Sequence, residues 1–155
     1  MTITEFLDKT YQRYAERSWD RLYVLLDMHE TVLFPNYDGV SDTFYEGSIE
    51  ALQLMCERPE ICIIMWTCSR PEDCQIYKQL LLDKGVRVDY INENPEVRDK
   101  FSWGDYTKKL YANIIFDDKA FFDATKDWHE IADYFKKRDE TYPIQATESD
   151  GNSKG

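Results

Sequence analysis

Four polar side chains follow a short apolar run near the start of the chain. The run, residues 22–26, leads directly into Asp27, His29, Glu30 and Thr31. A continuous apolar run of this length is typical of a parallel strand that is buried on both faces. Open α/β sheets bind their ligands beyond the carboxyl ends of such strands. We therefore expect any chemistry of this chain to begin at Asp27.

Two later apolar runs, residues 61–66 and 113–116, also end in polar groups. The carboxyl ends of parallel strands meet at one edge of a sheet, so these groups should lie close to Asp27. Carboxylates, hydroxyls and cations at one edge are what a site for a divalent metal and a phosphate requires. The polar residues are Thr67, Cys68, Ser69 and Arg70 after the first run, and Asp117, Asp118 and Lys119 after the second.

Amphipathic segments between these runs predict the helices that position them. Apolar residues recur at helical spacing in each segment. Thr2 and Glu5 are placed to form a capping box, Pro71 suits a first helical turn, and Gly85 suits a helix end. Alternation of strands and helices indicates an α/β fold with a parallel sheet. The predicted helices are residues 2–17, 48–57, 71–84 and 126–138, and a further strand is predicted at 86–91.

The length and composition limit the class of protein. A chain of 155 residues predicts one domain over residues 1–145, and the composition of residues 146–155 predicts a disordered tail. The net charge of −11 argues against nucleic acid as a partner, because a phosphate backbone demands a basic surface. We find no signal peptide and no membrane-spanning run, which predicts a cytoplasmic protein without a membrane partner. Four cysteines without a Cys-x-x-Cys pair are expected to be reduced thiols.

The order of these motifs resembles the haloacid dehalogenase-like (HAD) phosphohydrolase superfamily, and within it a subgroup of small bacterial and phage proteins. The segments that carry the resemblance are Asp27-Met28-His29-Glu30-Thr31, Trp66-Thr67-Cys68-Ser69-Arg70, Asn92-Glu93-Asn94-Pro95-Glu96, and Lys109 through Asp117-Asp118. The resemblance implies a three-layer α/β/α Rossmann-like core with a parallel sheet. The chain between the first two motifs is too short for a cap domain, so we expect no cap, or at most a flap over residues 33–45.

The resemblance also implies Mg²⁺-dependent hydrolysis of phosphate monoesters. Asp27 would attack phosphorus and form an aspartyl-phosphate. Thr67 and Lys109 would hold the transferring phosphoryl oxygens, and the alignment favours Lys109 over its neighbour Lys108. Mg²⁺ suits hard oxygen ligands. The implied ligands are Asp27, the backbone carbonyl of His29, Asp117 and Asp118.

The residues after Thr67 are candidates for substrate binding. At the start of a helix, Cys68 and Ser69 offer backbone N–H groups and a hydroxyl to an anion. Capping of the helix is the alternative role for Ser69, and filling space is the alternative for Cys68. Arg70 could clamp a phosphate, although it stands one residue later than the arginine of the subgroup.

His29 departs from the family pattern, which has a second aspartate at this position as general acid and base. An imidazole could take over that role, with carboxylates around it. Alternatively, water stays unactivated and turnover is lost. A third interpretation has His29 hydrogen-bonded to Glu30 or Asp117 without a catalytic role. The sequence thus predicts a slow phosphatase for a small phosphorylated substrate, such as a nucleotide or sugar phosphate, with a catalytically impaired binding or regulatory module as the alternative. The sequence does not decide the oligomeric state.

Overall fold

The computed structural model describes residues 1–98 and 104–145. The predicted tail at residues 146–155 lies outside the described residues, as does part of the irregular stretch before the last strand. The predicted single domain stays a prediction. The elements in chain order are α1 (Ile3–Glu16), β1 (Leu22–Leu26), α2 (Ser48–Cys56), β2 (Ile61–Met65), α3 (Pro71–Asp83), β3 (Tyr90–Ile91), β4 (Ile114–Phe116), a 3₁₀ turn (Asp118–Ala120) and α4 (Asp127–Thr141).

The strands form one parallel sheet in the order β3-β2-β1-β4. The last residue of β1, Leu26, lies opposite Met65 of β2 and Phe116 of β4. Every residue of β1 and β2 is buried, which is why both read as continuous apolar runs. The predicted α/β fold with a parallel sheet is confirmed.

All four helices pack on one face of this sheet. Leu22, Val24 and Leu26 of β1 share a buried cluster with apolar side chains of α1, α2, α3 and α4. Among these side chains, Trp128 and Phe135 of α4 are the largest that are fully buried. This cluster fixes the helices beneath the sheet and leaves the carboxyl edge of the strands open.

Described residues of the chain between β3 and β4 pack on the opposite face and supply the third layer. These residues form turns and bends, and Val97 packs there against Tyr23 and Leu25 of β1. The Glu96 carboxylate accepts hydrogen bonds from Tyr23 Oη at 3.3 Å and Tyr90 Oη at 2.8 Å. Hydrogen bonds of Glu96 therefore connect this segment to β1 and β3, in addition to the apolar contacts of Val97.

The predicted helix signals match the structure. Thr2 and Glu5 form the capping box of α1, Pro71 lies in the first turn of α3, and Gly85 follows α3 with a φ of +76°. The predicted strand over residues 86–91 is wrong in its first four residues. The Asp89 carboxylate accepts the Ile63 N–H at 2.8 Å, so a side chain takes that place in the β2 ladder, and β3 is short.

Between β1 and α2 the chain forms a small flap. Leu33 and Phe44 form an antiparallel bridge, and the rings of Phe34 and Tyr45 stack with centroids 4.1 Å apart. The insertion is therefore a loop pinned at its base, in agreement with the expected minimal cap. Among the described residues no helix is long and apolar enough to cross a membrane.

A buried charge cluster ties the ends of three elements together. Arg58, between α2 and β2, donates from Nε to Glu60 at 2.6 Å and from Nη1 to Asp139 of α4 at 2.7 Å. The side chains of Arg58 and Glu60 are only 7% and 9% exposed. Tyr11 of α1 donates its hydroxyl to Glu60 at 3.0 Å. Each member depends on the others for its hydrogen bonds.

We expect Arg58→Met to destabilise the protein by about 3–5 kcal/mol, because it leaves two carboxylates without their cation in a poorly solvated place. Denaturant unfolding followed by circular dichroism measures the loss. Arg98→Met is the matched control, since Arg98 pairs with Glu93 where both side chains are about half exposed, and should cost under about 1 kcal/mol. Equal losses in the two variants would contradict the structural role of the Arg58 cluster.

Candidate functional site

Backbone hydrogen bonds extend the sheet by one residue beyond its strands. Asp27 donates its N–H to Phe116 O at 2.9 Å, and Trp66 donates to Leu26 O at 2.8 Å. Side chains alternate between faces along a strand. Since Leu26, Met65 and Phe116 point into the helix-side cluster, the next residues of their strands, Asp27, Trp66 and Asp117, project the other way, side by side. The register thus aligns them at the open edge.

Three carboxylates meet at this edge. One oxygen of each of Asp27, Asp117 and Asp118 lies within 4.8 Å of the others. Asp27 follows β1, whereas Asp117 and Asp118 follow β4, so the sheet brings together residues that are far apart in the chain. The Asp117 carboxylate also accepts the Lys119 N–H at 2.9 Å, which caps the 3₁₀ turn. The predicted convergence of these three residues is present.

Thr31 connects two of these carboxylate residues. Its hydroxyl donates to Asp27 Oδ2 at 2.9 Å and accepts the Asp118 N–H at 3.1 Å. Thr31 is fully buried, and its carbonyl accepts the indole N–H of Trp128 at 2.7 Å. Thr31 therefore links the loop after β1 to the loop after β4 and to α4. The sequence offered this threonine only as part of the first motif, without a role.

Burial raises the pKa of Asp27 to about 6, and the nearby Asp117 charge also raises it. The hydrogen bond from Thr31 opposes this shift, since it favours the ionised carboxylate. The geometry explains the direction: a half-buried carboxyl group beside further carboxylates is costly to ionise. A bound cation would remove that cost.

The loop after β2 gathers small hydrogen-bonding groups. The hydroxyls of Thr67 and Ser69 lie 2.9 Å apart, and Ser69 N–H donates to Thr67 Oγ1 at 3.2 Å. Asn92 brackets Thr67, because its amide accepts Thr67 N–H and donates to Thr67 O, each at 2.9 Å. The N-cap of α3 is Arg70, so the alternative that Ser69 caps this helix is wrong. Cys68 is an exposed free thiol in the same loop.

His29 has a partner that the sequence did not indicate. Its Nε2 lies 3.1 Å from the hydroxyl of Tyr77 on α3, and the two rings meet edge to face with centroids 5.4 Å apart. Tyr77 is only 3% exposed. The imidazole is thus tied to a helix, and the interpretation that it bonds to Glu30 or Asp117 is wrong.

The cations are placed differently from the expectation. Lys119 lines the cleft above the carboxylates, whereas neither Lys109 nor Arg70 is among the lining residues that the structure describes. Both Lys109 and Arg70 are exposed. Lys109 belongs to the segment between β3 and β4, and Arg70 is the N-cap residue of α3. Lys119 follows Asp118 directly, and that adjacency was the available signal.

The cleft has a volume of about 750 Å³, which is within the range of small-molecule sites. This volume is larger than an inorganic phosphate alone would need. Trp66 and Asn92 are lining residues to which the sequence gave no individual role, whereas Lys119 was named only as one of the polar groups after the last strand. The lining residues are Asp27, His29, Glu30, Trp66, Thr67, Cys68, Ser69, Asn92, Asp117, Asp118 and Lys119.

The donor set fits a hard divalent cation. Three carboxylates converge, and none of the described residues donates a hydrogen bond to the His29 carbonyl oxygen. Carboxylate and carbonyl oxygens with room for water are the ligands that Mg²⁺ prefers. Asp27, Asp117, Asp118 and the His29 carbonyl are the residues that would hold such an ion.

Comparisons with known proteins support the fold. No family model matches the chain, and no curated protein matches it either. Among solved structures, the chain is similar to a conserved protein from Bacteroides thetaiotaomicron, with a TM-score of 0.58 and 19% identity. The match covers 82% of this chain and 99% of that protein. At this identity the similarity establishes a shared Rossmann-like α/β architecture.

We expect Asp27→Asn to stabilise the metal-free protein near about pH 7.5 by roughly 2–4 °C, the effect of about 1 kcal/mol in a chain of this size. A pKa raised to about 6 means that the folded state binds the Asp27 proton more tightly than the unfolded state does. This contribution to stability is therefore complete below about pH 4 and disappears as the pH rises through about 6. Thermal unfolding at several pH values measures it.

The gain from Asp27→Asn should shrink toward about pH 4, and Mg²⁺ should raise the unfolding temperature of the native protein more than that of the variant. Asp38→Asn, in the exposed part of the flap, is the matched control. A gain that is the same at every pH would contradict the crowding of carboxylates around Asp27.

Proposed function

We propose that this protein is a Mg²⁺-dependent, HAD-like phosphatase that hydrolyses a small phosphate monoester through an aspartyl-phosphate on Asp27. The observation that carries the proposal is the convergence of Asp27, Asp117 and Asp118 within 4.8 Å at the carboxyl edge of a parallel sheet. The resemblance of the motif order to HAD phosphohydrolases gives this cluster its proposed role.

Asp27 is the proposed nucleophile. Its Oδ2 accepts the Thr31 hydroxyl, which leaves Oδ1 as the oxygen to attack phosphorus in line. The attack forms the bond between Oδ1 and phosphorus and breaks the bond from phosphorus to the alcohol oxygen, which leaves with a proton. Water then attacks phosphorus, the bond between Oδ1 and phosphorus breaks, inorganic phosphate leaves, and the Asp27 carboxylate is restored.

Mg²⁺ would be held by Asp27, Asp117, Asp118 and the His29 carbonyl, and when bound it supplies positive charge between two negative reactants. The hydroxyls of Thr67 and Ser69 are within reach of one another and offer donors to phosphoryl oxygens. Lys119, a cation that lines the cleft, is proposed to neutralise charge there, and the resemblance assigns the same task to Lys109.

His29 is the proposed general acid and base, and we propose that it limits the rate of hydrolysis. It stands where HAD enzymes have their general acid and base, and its Nδ1 is left to exchange protons with the leaving oxygen and with water while Nε2 faces Tyr77. An imidazole nitrogen can both give and accept a proton, so His29 can serve both steps. Its reach differs from that of a carboxylate, which is why we propose slow turnover.

A second candidate function is a catalytically impaired HAD-like module that binds a ligand without turning it over. The hydrogen bond between His29 and the buried Tyr77 favours it, because a tethered imidazole is less free to meet the reacting atoms. Loss of general acid and base help costs about 10²–10⁴ in rate. In either case the small phosphorylated ligand and the cytoplasmic location stay predictions.

We expect the native protein to hydrolyse a generic phosphate monoester slowly with Mg²⁺, Asp27→Asn to abolish this activity, and His29→Asp to raise it by about 10². Release of inorganic phosphate measures all three. His129→Asp is the matched control, since it makes the same exchange at an exposed position of α4.

The outcomes separate the two candidates. A native protein that is inert, beside an active His29→Asp variant, would favour the impaired module. Activity that survives Asp27→Asn would rule out the aspartyl-phosphate mechanism altogether.

We expect Lys119→Met to lower kcat/KM at least about tenfold, because a hydrogen bond to a charged group contributes about 1.5–3 kcal/mol. Lys109→Met should have a much smaller effect, since Lys109 lies outside the cleft lining. Steady-state kinetics of the two variants with one substrate decide between the lysines. The reverse order would restore the assignment that the resemblance implies.

A further inference from the structure

Trp66 differs from every other residue that lines the cleft. The five residues of β2 before it are fully buried, whereas Trp66 is 36% exposed. Among the described lining residues it carries the one large apolar ring, and the others, including the His29 imidazole, are polar or charged apart from the Cys68 thiol. A large apolar ring left partly in water at a ligand-sized cleft has surface available to a ligand.

The backbone of Trp66 is held on both sides. Its N–H donates to Leu26 O at 2.8 Å, and the next residue, Thr67, makes two hydrogen bonds with the Asn92 side-chain amide, which accepts from Thr67 N–H and donates to Thr67 O. The indole is therefore presented from a fixed point of the sheet edge. Binding a ligand against it needs little ordering of the chain.

The register places Trp66 beside the proposed nucleophile. Leu26 lies opposite Met65, so the next residues along, Asp27 and Trp66, are neighbours on adjacent strands whose spacing is about 4.8 Å. Both side chains project to the same face of the sheet edge. A phosphoryl group at Asp27 would thus have the indole on one side and Asp117 with Lys119 on the other.

We propose that Trp66 forms a stacking wall that selects phosphate monoesters carrying an aromatic ring close to the phosphate, such as a nucleoside monophosphate. This inference rests on the proposed phosphatase site. A flat π-surface stacks on the indole whichever base it belongs to, and stacking of one base typically contributes a large part of the affinity for a nucleotide. The net charge of −11 favours a small ligand over a polynucleotide.

The test compares adenosine 5′-monophosphate with ribose 5-phosphate, which has the same sugar and phosphate without the ring. In Trp66→Leu the ratio of their kcat/KM values should fall about tenfold, and Trp66→Phe should keep most of the preference because it keeps an aromatic ring. Trp19→Leu is the matched control, since Trp19 packs beside Arg17 at the end of α1, outside the cleft lining. Phenyl phosphate against cyclohexyl phosphate forms a second arm, which tells an aryl preference from a nucleoside preference.

Binding of the same compounds to Asp27→Asn, measured by calorimetry, separates this inference from the proposed function. A preference for the aromatic compounds that Trp66→Leu removes supports the inference even if nothing is hydrolysed. Hydrolysis with an unchanged ratio in Trp66→Leu overturns the stacking wall and leaves the phosphatase standing. Absence of both the preference and the hydrolysis overturns both.

Discussion

The candidate site depends on the register of the parallel sheet. Each strand of the central part of the sheet continues one residue past its end by donating an N–H to its neighbour's last carbonyl, from Asp27 to Phe116, from Trp66 to Leu26 and from Asn92 to Met65. These bonds leave no freedom to slide one strand against the next. A shift of one residue would turn Asp27 toward the apolar helix layer, because side chains alternate between faces. The position of the carboxylates is thus fixed by backbone bonds far more than by the carboxylates themselves.

Repulsion between the crowded carboxylates opposes folding. Hydrogen bonds of Thr31 offset part of this cost. Its hydroxyl bonds to Asp27 and to the Asp118 N–H, while its carbonyl accepts from Trp128 in the helix-side core. Such bonds each contribute about 1 kcal/mol, and the buried indole adds apolar contact on the same side. Packing of Trp128 in the helix-side core therefore helps to hold the carboxylates at the edge of the sheet, because Thr31 connects the two. The raised pKa of Asp27 shows that the compensation is partial, as is common where ionisable groups are gathered for a function.

Sequence reasoning succeeded where the signal was local and failed where it was not. Asp27 and Asp117 could be placed because each follows a continuous apolar run, and strand ends share an edge whatever the strand order. The partner of His29 could not, since Tyr77 is 48 residues away and its position depends on how α3 packs. The assignment of the phosphate-binding cation to Lys109 did not anticipate the cleft lining for a related reason: an exposed lysine leaves no periodic pattern, and only the turn after β4 brings Lys119 to the cleft.

Within the proposed function, the negative charge of the three carboxylates has to be balanced before a phosphate can bind. Two unit charges about 5 Å apart at an effective dielectric constant of about 20 interact by about 3 kcal/mol. A phosphate dianion near three carboxylates would meet several such repulsive pairs. One hydrogen bond from Lys119 to a phosphate would stabilise binding by about 1.5–3 kcal/mol, and hydrogen bonds from the hydroxyls of Thr67 and Ser69 would each contribute less. These donors cannot outweigh the carboxylates, so the cleft without a cation would repel the proposed phosphate ligand. Within the proposed function, Asp27, Asp117 and Asp118 would therefore have to hold a cation before a phosphate could bind, and that cation would supply the positive charge which the cleft lacks.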